Sequence, residues 1–308
     1  MKITIIGVGA IGGYVFAKLS EAGEHDIQCV TSPTSALLKQ QSIQLSSDNQ
    51  SLTYPIKQIA SDYAQIDGDI IFITTKTTQN STVFPRLSSL KNKTFIVIQN
   101  GIGNEQHLAK YLHQSNTIIG ATTNIKVTKK HTDNKVTLHN PLCQFNYALF
   151  QQGAVTAELG ALFNQIFTSV THTEDIYQAR FPKLLVNLSC NLASILYDAC
   201  MQTLSTSKEP RHLIEQIGKE VIQVAQAYQV DIAPSRIDLL LNKLAEPGFK
   251  GVYFSMKEDF DAGRPLETET VFDNFITLAD QAAIATPVTR SALNQLYIKL
   301  EERQLSKV

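Results

Sequence analysis

The 308-residue chain has no tryptophan, only four cysteines and three methionines, and no excess of charge, with 27 Lys and Arg against 28 Asp and Glu. So balanced a chain lacks the basic face that nucleic acid or an anionic membrane surface would require. The densest basic cluster, Lys126 with Lys129 and Lys130, is too small to alter that. Cys29, Cys143, Cys190 and Cys200 have no metal-type spacing. Cys29 and Cys190 sit in apolar runs, so the four read as reduced thiols and no metal is expected. There is no basic leader and no apolar run of membrane-spanning length. The expectation is a soluble, cytoplasmic protein that binds neither membrane nor nucleic acid. Nothing fixes an oligomeric state, and a homodimer is compatible with the sequence.

What is present is enough apolar residue, 43% of the chain, to fill two cores over this length. Lys2 to Ile6 is a β-branched run of the kind found in buried parallel strands. It leads into Gly7-Val8-Gly9-Ala10-Ile11-Gly12 and then a helical pattern to Ala22. This is G-x-G-x-x-G in its required setting. Gly7 allows the tight turn, Gly9 lets a pyrophosphate approach the backbone, and Gly12 lets helix and strand pack closely. A second strand, Asp26 to Val30, ends in Thr31-Ser32-Pro33-Thr34 without the acid that usually binds the ribose hydroxyls of NAD. Ser32 and its hydroxyl neighbours, with Lys39 beyond, suit the 2′-phosphate of NADP better than a carboxylate would.

Ile43 to Ile59 alternates loosely, as one or two short strands. Asp69 to Thr75 and Thr94 to Gln99 are clear buried strands, ending at Lys76 and Asn100. Ligands of open parallel sheets bind beyond such carboxyl ends, although a solvated loop lysine and an Asn-Gly turn would leave the same trace. Thr117 to Thr123 reads as a further strand, and Val127 to Phe150 as antiparallel or irregular edge structure. From Ala154 the pattern is mostly helical. The reading is an α/β Rossmann domain over residues 1–170 followed by an all-α domain over 171–308.

Within the helical half, Ala179 to Tyr197 places Lys183, Asn187 and Asn191 on one stripe of a helix among leucines. Buried amine and carboxamides are costly unless something polar meets them. A bound substrate would do so; the alternative is that the amides cap loops and the lysine snorkels to water. Further on, Ser255 and Asp259 lie one turn apart, and Glu267 follows a Gly-Arg-Pro turn at the start of a helix. The helix dipole alone would favour a carboxylate there.

Taken together, GVGAIGG at 7–13, TTK at 74–76, IQNGIGNEQ at 98–106, KLLVNLSCN at 183–191 and SMKEDFDAGRPLE at 255–267 resemble the ketopantoate reductase family (2-dehydropantoate 2-reductase). The resemblance spans nearly the whole chain. It implies reduction of the C2 carbonyl of 2-dehydropantoate to pantoate, a step of pantothenate biosynthesis, with NADPH and a small 2-oxo acid meeting between the domains. It makes Lys183 the catalytic lysine and Glu267 the carboxylate that holds the substrate hydroxyl. Asn100, Asn187, Asn191 and Ser255 become substrate-binding positions, and Lys76 lines the nicotinamide end. Several positions depart from the family pattern. Phe181 and Ser32 stand where it usually has Trp and Arg, Thr268 to Asp273 replace I-D-x-I-N-G, and the glycine-rich signature around His139 to Phe150 is missing. Two alternatives keep the fold: a paralogous reductase of another branched 2-oxo acid, and a nucleotide sensor without catalysis. A 3-hydroxyacid or 6-phosphogluconate-type dehydrogenase shares the domain plan but not the KLLVN motif.

Overall fold

The computed structural model describes residues 1–47, 50–130, 132–139 and 142–305. The chain divides into two compact units, Met1–Gln99 with Gly103–Ala179, and Asn100–Ile102 with the chain from Arg180 onward. The division falls inside the long helix Ile176–Leu196.

The first unit is built on an eight-stranded sheet. Its parallel part comprises β1 (Lys2–Ile6), β2 (Asp26–Val30), β5 (Gln58–Ala60), β6 (Ile70–Ile73), β7 (Thr94–Val97) and β8 (Thr117–Asn124). They lie in the order β5-β2-β1-β6-β7-β8, so the direction of winding reverses between β1 and β6. That reversal is where doubly wound sheets bind ligands. Ile3 of β1 pairs with Ile27 of β2 on one side and Ile70 of β6 on the other. Successive side chains go to opposite faces. Ile3 and Ile5 join the core that also holds Val15, Phe16 and Phe72, while Ile6 joins the one holding Ile71, Phe84 and Phe95. Each such side chain, fully buried, contributes roughly 1.5–3 kcal/mol.

Two parts of this unit differ from the sequence-based expectation. Ile43 to Ile59 forms three strands, β3 (Ser42–Ser46), β4 (Ser51–Pro55) and β5, with 48 and 49 outside the described residues. β3 and β4 join β9 (Val127–Lys129) and β10 (Lys135–Leu138) in a separate sheet of order β4-β3-β10-β9. The parallel pairing of β3 with β10 links distant segments, which local alternation cannot reveal. β11 (Gln144–Gln151), expected at an edge, pairs antiparallel with β8 and is covered on its far side by β12 (Ser169–His172). β12 is mostly polar, and so carries no apolar run by which to recognise it. Within Val127 to Phe150, residues 131, 140 and 141 lie outside the described set.

Among the described residues the second unit contains helices and no strand. After Ile176–Leu196 come Met201–Thr206, Lys208–Ala227, Ser235–Leu244 and Ser255–Asp261. A π-turn, Glu269–Asp273, then leads into Asn274–Gln281, and Pro287–Leu305 closes the unit. The buried Glu220 carboxylate accepts from Val288 N, Thr289 N and Thr289 Oγ1 at 2.8, 2.8 and 2.6 Å, meeting the open donors of the last helix. Among the described residues no helix is long and apolar enough to cross a membrane.

The turn after β1 discriminates sharply between its glycines. A Cβ on Gly12 would lie 2.3 Å from Gly7 O and 2.5 Å from Thr74 Oγ1, whereas one on Gly9 would meet nothing within 4 Å. Gly12→Ala is therefore expected to lose about 1–3 kcal/mol or more of stability through overpacking. Gly9→Ala should stay within about 0.5 kcal/mol. Urea denaturation of the two variants checks this; equal losses would contradict it.

Candidate active site

In the first unit, Gly7 turns the chain at φ +90°. Any side chain there would strike Thr75, whose backbone N lies 2.7 Å from the position a Cβ would take. Thr74 Oγ1 donates to Ile6 O and Gly7 O at 3.0 and 2.7 Å, tying the end of β6 to the end of β1. The helix Ala10–Ala22 then begins with no side-chain cap and no acid in its first turn. An uncapped, acid-free helix start offers N–H donors and a positive dipole end to an anion. With the open space over Gly9, this start fits a dinucleotide pyrophosphate. Val8 is buried; Ala10 and Ile11 are half-buried at the helix start.

The other cofactor candidates lie on the rim of the sheet. Ser32 is exposed beyond β2, its hydroxyl 3.4 Å from that of Thr34. Lys76 is exposed and precedes the 3₁₀ turn Thr77–Gln79. Behind it Gln99 Nε2 donates to Thr75 O at 2.9 Å and Asn80 Oδ1 at 2.8 Å, and Asn80 Nδ2 to Asn104 Oδ1 at 3.0 Å. This buried amide network fixes the segments that follow β6 and β7.

In the second unit, Lys183, Asn187 and Asn191 follow one another at four-residue steps on Ile176–Leu196, and so share one face. Leu184, Leu185, Leu188 and Leu192 pack that helix into the core. Lys183 as a residue is half-buried, yet its ammonium is desolvated. Burial pulls it from 10.5 down to about 8, offset in part by the neighbouring Cys190 thiol. Burial pushes that thiol up to about 12. Among the described residues no carboxylate forms an ion pair with Lys183. Asn191 is buried, and its Oδ1 has no hydrogen-bond partner among the described residues; a buried acceptor in that condition costs about 1–3 kcal/mol.

Asn100 is joined to this face by the second unit's own contacts. Asn187 Nδ2 donates to Asn100 Oδ1 at 3.3 Å, and Asn100 Nδ2 to Glu267 Oε2 at 3.4 Å. The structure thus brings Asn100, Asn187 and Glu267 into one chain of hydrogen bonds. Lys183 and Asn191 lie on the same helix face as Asn187. Glu267 is half-buried and immediately precedes the helical turn at Thr268. Ser255 is exposed at the first position of Ser255–Asp261, and no hydrogen bond among the described residues links its hydroxyl to the rest. A cleft of about 280 Å³ elsewhere in this unit, lined by Leu196, Tyr197 and Pro287 among others, includes none of these residues.

Sequence reasoning missed the groups that hold Asn100 in place. Arg180, almost wholly buried, donates from Nη1 to Gly101 O at 3.1 Å. Ile102 N donates to Thr270 O at 2.8 Å, and Asn274 Nδ2 to Ile102 O at 2.7 Å. One signal was available: Arg180 falls on the same stripe as Leu184 and Leu188, the buried side of the helix.

The model of the ketopantoate reductase PanE/ApbA family matches residues 3–145, and that of its C-terminal domain matches residues 175–299. The chain belongs to the ketopantoate reductase family. It is 28% identical to a 2-dehydropantoate 2-reductase of Nostoc sp., over 96% of this chain and 94% of that one. A solved 2-dehydropantoate 2-reductase of Geobacter metallireducens superposes with a TM-score of 0.87 at 24% identity, over 98% and 100% of the two chains. A D-mandelate dehydrogenase with NADH and anilino(oxo)acetate superposes with a TM-score of 0.86 at 19% identity, over 98% and 99%. Membership places the chain among oxidoreductases. Phe181 is a fully buried core residue with its ring 6.0 Å from that of Tyr228.

The desolvated ammonium has a thermodynamic signature. Because the folded-state pKa of Lys183 is depressed to about 8, its cost is fully present below that pH. Stability then rises towards pH 10.5, where the unfolded chain still binds the proton. Lys183→Met is expected to stabilise the protein at pH 7 by up to about 3 kcal/mol, with the advantage shrinking as pH climbs above 8. Denaturation midpoints of the two proteins from pH 7 to 10 check this; a constant difference would mean the ammonium is solvated.

Proposed function

We propose that this chain reduces the C2 carbonyl of 2-dehydropantoate to pantoate with NADPH. The observation that carries the reading is Lys183, a desolvated ammonium with no ion-pair partner among the described residues, on one helix face with Asn187 and Asn191, beside the Asn187–Asn100–Glu267 chain. Such an array suits a small anion that carries a ketone and a hydroxyl. The carboxamides donate to the substrate carboxylate without adding charge, and Glu267 accepts from its hydroxyl. When bound, the reduced nicotinamide supplies the hydride to C2. Lys183 stabilises the negative charge that grows on the carbonyl oxygen and then gives that oxygen its proton. A pKa near 8 keeps the lysine protonated at neutral pH while making it a better donor than an exposed one. Gly7, Gly9 and Gly12 with the start of the first helix would hold the pyrophosphate, and Lys76 the nicotinamide end. The exposed hydroxyls of Ser32 and Thr34 support NADPH over NADH. The NADH carried by the solved D-mandelate dehydrogenase supports the nicotinamide class.

A second reading, reduction of another branched 2-oxo acid, is favoured by Thr268 to Asp273, which directly follow Glu267 and depart from the family pattern. A panel of 2-oxo acids assayed with NADPH and with NADH separates the two. On the acid that is reduced, Lys183→Ala is expected to lower kcat by about 10²–10⁴-fold with cofactor binding retained. Lys183→Arg should restore little, because a guanidinium holds its proton. Normal kcat in a folded Lys183→Ala protein would refute the mechanism.

A further inference from the structure

We propose that Arg180 is a positioning residue for the substrate site, acting through the backbone of Gly101 to set the carboxamide of Asn100. The proposal deepens the functional reading above and rests on it for the role of Asn100. Asn100 is exposed, and the bonds its side chain makes with Asn187 and Glu267, at 3.3 and 3.4 Å, are long. Bonds of that length are weak, and the backbone beneath sets the direction in which the carboxamide leaves the chain. That backbone is anchored by three shorter bonds within the second unit, at 3.1, 2.7 and 2.8 Å.

Arg180 is the one charged member of this anchor. Its guanidinium is almost completely out of water and donates to the carbonyl of Gly101. The bond is charge-assisted, and so among the stronger kinds. Gly101 itself has φ +82°, and a Cβ there would lie 2.3 Å from Thr270 O. The segment therefore sits against the π-turn with no room for a side chain, in a conformation that favours glycine. π-turns of this kind are frequent at functional sites. Arg180 and Asn274 together grip the two carbonyls that follow Asn100. Loss of either lets the peptide plane rotate and turns the carboxamide away from Asn187 and Glu267.

Asn100 is read as binding the substrate carboxylate alike in ground and transition states, so its displacement raises KM and spares kcat. Arg180→Gln is expected to raise KM for the 2-oxo acid about tenfold to a hundredfold, the range for one charge-assisted hydrogen bond. kcat should change by less than about threefold. Arg180→Lys, which can still donate, should recover part of the loss. A double-mutant cycle of Arg180→Gln with Asn100→Ala separates positioning from general support of the fold. If Arg180 acts through Asn100, its removal costs nothing further once Asn100 is alanine. Additive effects would overturn the proposal. Should Arg180→Gln fail to fold, the cycle is run with Asn274→Ala, at a half-buried site, with the same expectation and the same refutation.

Hydrogen exchange at the Ile102 amide needs no substrate. It is expected to quicken at least tenfold in Arg180→Gln, or in Asn274→Ala, relative to the amides of Leu184 to Leu192. Unchanged exchange at Ile102 overturns the clamp. If the wild-type protein reduces no 2-oxo acid at all, the functional reading falls, and exchange at Ile102 still decides whether Arg180 and Asn274 hold the segment.

Discussion

A protonated amine held on an apolar helix, with no carboxylate partner among the described residues, is the constraint around which the second unit is arranged. Desolvation lowers the Lys183 pKa to about 8, which means that the fold bears a cost at neutral pH to keep the charge there. The surrounding leucines, with exposures of 0–1%, offset it many times over. The same logic applies to the buried acceptor of Asn191, which has no partner among the described residues. Uncompensated polar groups in a well-packed helix are hard to explain as stability devices. They are readily explained as groups whose partners arrive with a ligand.

The chain reaches this arrangement by letting a short segment leave the sheet unit. Asn100 to Ile102 follow β7 in sequence but belong by their contacts to the helical unit. Gly101 makes that possible, because its positive φ and missing side chain let the peptide lie directly on Thr270. Pro182 lies close to the division of the long helix between the units. There it removes one backbone donor from the helical ladder.

Much of this was legible in the sequence, and for physical reasons. β1, β2 and the glycine turn are local patterns whose backbone requirements are written in consecutive residues. The stripe of Lys183, Asn187 and Asn191 follows from helical periodicity alone. The family resemblance singled out Asn100 and Glu267, and the structure shows them hydrogen-bonded across a separation of 167 residues, a pairing no local pattern reveals. What was not legible depends on distant partners. The β3–β10 pairing is one example, and the polar edge strand β12 another. The bond from Arg180 to Gly101 spans 79 residues, and that from Asn274 to Ile102 spans 172. The place of Arg180 on the stripe of Leu184 and Leu188 points to burial, but local spacing does not name the carbonyl it reaches.

The central claim is that Lys183 must carry its proton for carbonyl reduction, and that its own burial sets the pH at which the proton is lost. The most direct test is the pH dependence of kcat/KM for 2-oxo acid reduction between pH 6 and 10, with cofactor saturating. Above a plateau at neutral pH, kcat/KM is expected to break near 8. It should then fall about tenfold per pH unit, as loss of a single essential proton requires. A profile that stays flat through pH 10 would contradict the account, because the proton would then come from a group other than this lysine.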